Sequence, residues 1–69
     1  MGGWLVRPYQ QRVVEELSAL QTKCEKLAEF LMSDLFKTVD NAEGARLVRQ
    51  HGVMVEYCDI LKDRIENFK

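Results

Sequence analysis

The sequence predicts an all-α protein: an antiparallel two-helix hairpin with a short N-terminal segment, assembled into a helical homo-oligomer. Three observations predict it. Two apolar seams lie on either side of a polar connector, each recurring at alternating spacings of four and three residues, as in a helix that packs along a partner helix. The single proline, Pro8, stands at the head of the first seam, where its missing N–H would have had no partner. And a chain of 69 residues with two cysteines and one histidine buries only about 60% of the surface its unfolded form exposes. Disulfides and metals are poorly supplied here, so self-association is the favoured supplement.

Residues 1–7 form the N-terminal segment and helix one is expected over 8–33. Its seam is Val13, Leu17, Leu20, Cys24, Leu27 and Leu31, and no Gly or Pro interrupts Tyr9 to Phe36, so propensity agrees with pattern. Over 34–40 the periodicity breaks, which reads as a frayed end plus a connector. Asp40, three residues before Glu43, has the spacing of a capping box and opens helix two over 41–68. Its seam is Leu47, His51, Met54, Cys58, Leu61, Ile65 and Phe68. Folding back at the connector sets Leu31 near Leu47, Leu27 near His51, Cys24 near Met54, Leu20 near Cys58 and Val13 near Ile65, so the cysteines face different partners. Val48, Val53, Val55, Tyr57 and Ile60 lie outside the seam, with Val14, Ala28 and Phe30 on helix one. That surplus reads as an interaction surface, with two-fold self-association as the commonest arrangement.

Charged residues make up 30% and the net charge is -1, a globular composition with no general attraction to a phosphate backbone, so nucleic acid is not an expected partner. Trp4 to Val6 is too short for a signal peptide or a membrane span, and the expected location is the cytoplasm, with Cys24 and Cys58 as free thiols. His51 reads as a partly buried seam residue rather than a base or ligand. The two cysteines read as core packing, and Glu15 with Glu16 and Asp59 with Asp63 as solvated surface. With no nucleophile–base pair, no metal spacing and no Gly-rich phosphate loop, the chain is not expected to be an enzyme or to carry a cofactor or metal.

The segment Trp4-Leu5-Val6-Arg7-Pro8-Tyr9-Gln10-Gln11-Arg12 carries the most chemistry. It puts two aromatics, two arginines and two amides beside a helix N-terminus, which already attracts anions. Tyr9 or Trp4 could stack on a nucleobase while Arg7 and Arg12 neutralise phosphate. The hairpin would bring Arg64 and Lys69 to the same end, and Lys23 and Lys26 complete the candidate set. The structural alternative is that Trp4, Leu5 and Val6 cover the hairpin end or a neighbouring subunit, with the arginines paired to Glu15, Glu16 or Asp63. Arg46, Arg49 and Lys37 form a weaker basic group at the other end.

On these residues the chain resembles a family of short phage proteins named for a relative in a crAss-like phage. The match runs through Pro8-Tyr9-Gln10-Gln11-Arg12-Val13-Val14-Glu15-Glu16, then Leu20, Lys23, Lys26, Leu27 and Phe30, and in the second half Leu47, Gln50, Met54, Tyr57, Leu61, Arg64 and Ile65. Tyr-Gln-Gln-Arg is its most specific part; His51 and Gly52 depart from it. A glycine inside a helix costs up to about 1 kcal/mol relative to alanine, and Gly52 would permit close approach of a neighbouring helix. The resemblance implies a phage accessory protein that counters host defence by binding. The layout is also similar to that of oligomeric sponges that sequester cyclic-nucleotide signals, a likeness of architecture alone. The expectation is therefore a non-catalytic homo-oligomer that captures a cyclic nucleotide or other small nucleotide signal through Arg7, Tyr9, Arg12, Lys23, Lys26 and Arg64. The alternative is a helical module that inhibits a host or phage protein by direct contact through its apolar surface.

Overall fold

The computed structural model describes residues 7–69, and the N-terminal residues Trp4, Leu5 and Val6 singled out above lie outside them. Two α-helices, α1 (Pro8–Leu31) and α2 (Asn41–Glu66), are joined by a 3₁₀ turn over Asp34–Thr38. They fold back on one another as the two seams require. Both helices are slightly shorter than the expected spans 8–33 and 41–68, since α1 ends at Leu31 and α2 at Glu66.

Each helix end has its own cause. At the start of α1, Pro8 occupies the first helical position and the Gln10 side chain accepts a hydrogen bond from the Arg7 backbone N–H at 3.0 Å. At the start of α2, Asp40 Oδ2 accepts from the backbone N–H groups of Ala42 and Glu43, which satisfies two of the donors a helix N-terminus leaves unpaired.

The connector is ordered rather than frayed. Phe36 sits edge-on to Phe30, with ring centroids 6.0 Å apart. A Cβ built on Gly44 would come within 3.3 Å of its ring tip. Gly44 is buried, so the absent side chain is what lets the turn close against the first turn of α2. Periodicity could not show this, because a single aromatic in a five-residue turn has no period to read.

The core is thin. Among the described residues Val13, Cys58 and Leu61 are the buried apolar side chains, with Leu61 fully enclosed. Leu17, Leu20, Leu27, Leu31, Leu47, Met54 and Ile65 are only partly covered. Two helices in contact shield one stripe of each and no more, and the molecule measures 53 × 15 × 14 Å along its principal axes.

Candidate functional site

An antiparallel pair of helices has two flanks, and the sequence sorts residues between them. A helical residue one position before a seam residue sits about 100° to one side of it, and one position after sits about 100° to the other. Running the second helix backwards keeps the preceding positions of both helices on the same flank. A hydrogen bond from Tyr57 Oη to Glu16 crosses between the helices and ties that flank together, since Glu16 precedes Leu17 and Tyr57 precedes Cys58.

The flank so defined is cationic. Arg12, Lys23 and Lys26 precede Val13, Cys24 and Leu27 on α1, while Arg46 and Arg64 precede Leu47 and Ile65 on α2, and all are exposed. The ion pairs found among the described residues are Arg46 with Glu43 and Lys37 with Asp34, so Arg12, Lys23, Lys26 and Arg64 keep their charge for solvent or a ligand. The pairing of arginines with Glu15, Glu16 or Asp63 is not what the side chains adopt. Glu16 is instead taken up by Tyr57.

At the open end of the hairpin Gln10 is the organising residue. It is buried, and its amide Nε2 donates to Tyr9 Oη at 3.3 Å and reaches the backbone oxygen of Lys69 at 3.5 Å. Tyr9 meets Phe68 edge-on, with centroids 6.1 Å apart, and remains about half exposed. Of the six candidate residues, Tyr9, Arg12 and Arg64 gather toward this end, and Arg7 caps α1 there. Lys23 and Lys26 lie farther along, since the run from Tyr9 to Lys26 spans about 25 Å of helix at 1.5 Å per residue. The set is a strip along one flank, not a single pocket.

Tyr57 and Gln50 belong to this strip although the sequence reading placed Tyr57 with the apolar surface and gave Gln50 no role. Their position before Cys58 and His51 was the available signal.

Two concavities lie on the other flank and none of the six candidates lines them. One, of about 220 Å³, is bounded by Gln21, Cys24 and Glu25 of α1 and by Val55, Cys58, Asp59 and Lys62 of α2. The other, of about 350 Å³, lies between the connector and the start of α2, against Phe36, Val39, Ala45 and Val48. Cys24 and Cys58 both line the first of these concavities, on adjacent layers of the seam. Burial pushes the Cys58 thiol above its ordinary range, Cys24 and Asp59 push it further, and Lys62 opposes them. That environment favours the protonated, unreactive form. Among the described residues no group of three or more His, Cys, Asp or Glu is arranged to hold a metal ion, and no helix is long and apolar enough to cross a membrane.

A family profile described as Sequestin matches residues 7–67. No curated protein and no solved structure gives a significant match.

Proposed function

Because the chain belongs to the Sequestin family, whose name is compatible with a sequestering role, we propose that it holds a small anionic nucleotide signal without converting it. The observation that carries this reading is the flank on which Arg12, Lys23, Lys26 and Arg64 stand free of acidic partners beside the phenols of Tyr9 and Tyr57. Guanidinium groups take phosphate oxygens in pairs, and a nucleobase can lie on an aromatic face. The ligand class is a cyclic dinucleotide or trinucleotide, or a related signal with phosphates spaced to meet Arg12 and Arg64 together. The protein acts as a homo-oligomer, and its context, from the resemblance to phage proteins, is the cytoplasm of a host whose defence depends on that signal.

The test is a thermal-shift panel of such nucleotides on the purified protein. A ligand at a hundredfold excess over its Kd stabilises the folded state by about 2.7 kcal/mol, enough to move the midpoint by several degrees. The double variant Arg12→Ala/Arg64→Ala should abolish the shift, whereas Lys62→Ala, on the other flank, should keep it. No shift with any nucleotide, or equal loss in both variants, would sink the reading.

One observation favours a second reading. Val53 and Ile60 precede seam residues too and remain more than half exposed, so the same flank offers apolar side chains among its cations. A host or phage protein with an acidic amphipathic helix would fit it. Its signature is a partner captured by the native protein and lost on Val53→Glu/Ile60→Glu.

A further inference from the structure

The cations of the strip differ in what could neutralise them. On a helix, side chains three or four positions apart are neighbours, and opposite charges at those spacings attract. Lys23 and Arg64 have no acid at either spacing, and Lys26 has one, Glu29. Arg12 has two, Glu15 at the third position and Glu16 at the fourth. Of the residues that precede seam positions on either helix, Glu16 is also the only acid. The cation nearest the open end of α1 is therefore the one most exposed to capture by its own helix.

Both carboxylates are engaged elsewhere. Gln11 Nε2 donates to Glu15 Oε1 at 3.4 Å, a bond within α1. Tyr57 Oη donates to Glu16 Oε2, and this donor comes from α2. Arg12 is exposed and makes no ion pair among the described residues.

We propose that Tyr57 is a positioning residue of the anion site: by holding Glu16 across the hairpin it keeps Arg12 off that carboxylate and leaves the guanidinium open to phosphate. The hydroxyl does this and the ring does not, because a carboxylate is satisfied by a donor. Since the donor belongs to α2, the charge on α1 is open only while the hairpin is closed. Loosening the two helices returns Glu16 to Arg12. This role rests on the preceding reading of Arg12 as a phosphate contact.

The Arg12 Hε signal of the full isotope-labelled chain, followed by NMR with and without pyrophosphate as the probe, reads both steps. Without pyrophosphate, Tyr57→Phe should move that signal to the position of a carboxylate-paired guanidinium, and adding Glu16→Gln should return it. Glu16→Gln alone, a measurement that leaves Tyr57 in place and so survives any folding defect of Tyr57→Phe, should move it little. In pyrophosphate titrations Tyr57→Phe should weaken binding about twofold, the size expected when an exposed helical ion pair competes for Arg12. Tyr57→Phe/Glu16→Gln should bind at least as tightly as the native chain. A purely structural phenol gives no such rescue, since Glu16→Gln restores no packing. An Arg12 signal that ignores pyrophosphate in the native chain overturns the phosphate role of Arg12, and the nucleotide reading falls together with this one. A native chain that binds pyrophosphate while Tyr57→Phe binds it equally well, or a weakened Tyr57→Phe that Glu16→Gln does not restore, overturns the role of Tyr57 alone.

Discussion

Gln10 shows how a residue can be conspicuous in a sequence while its partners stay hidden. Beside Tyr9, Gln11 and Arg12 it reads as part of a polar binding group, yet its side chain is turned inward to hold the Arg7 N–H, Tyr9 Oη and the backbone oxygen of Lys69. The last of these partners is 59 positions away, and no local pattern announces it. The cysteines were legible as packing residues because both stand in apolar seams, on adjacent layers of the hairpin. Their difference in burial has a measurable result. With iodoacetamide near pH 8, Cys24 should be modified at least about tenfold faster than Cys58, whose thiol is kept protonated by burial and by Cys24. Peptide mass spectrometry against time would show it, and equal rates would mean that the hairpin opens faster than the reagent acts.

Among the elements, the helices were written plainly and the turn was not. Pro8, Asp40 and two unbroken heptad-like seams fix where α1 and α2 run. The 3₁₀ turn depends on one aromatic and one missing side chain, Phe36 and Gly44, eight positions apart. Gly52 drew notice because it interrupts a helix, while Gly44, near a helix start where glycine is common, did not. Yet Gly44 is the one with an intramolecular contact. Gly44→Leu should force Phe36 from its place against Phe30 and cost about 1–3 kcal/mol, as overpacking of a close contact does. Urea melts followed by circular dichroism would measure it, and an unchanged midpoint would show that the turn can yield freely.

For the whole molecule, composition was informative about size and silent about sides. A net charge of -1 averages over a flank with five lysines and arginines and a flank with Val48, Gly52 and Val55, and an average cannot report segregation. The shortage of core was legible from length alone; which face it leaves open required knowing where α1 lies. The hairpin also implies an order of assembly in time. The Phe30–Phe36–Gly44 contacts join residues close in the chain, whereas Gln10 and Lys69 close nearly all of it, and the longer closure costs about 1.3 kcal/mol more in chain entropy. Folding should therefore nucleate at the turn and zip toward the termini. In chevron measurements at fixed chain concentration, Gly44→Leu should slow refolding, while Gln10→Ala should leave refolding within about twofold and express its loss as faster unfolding. The residue that fastens the two ends of the chain would then be the last to engage and the first to let go.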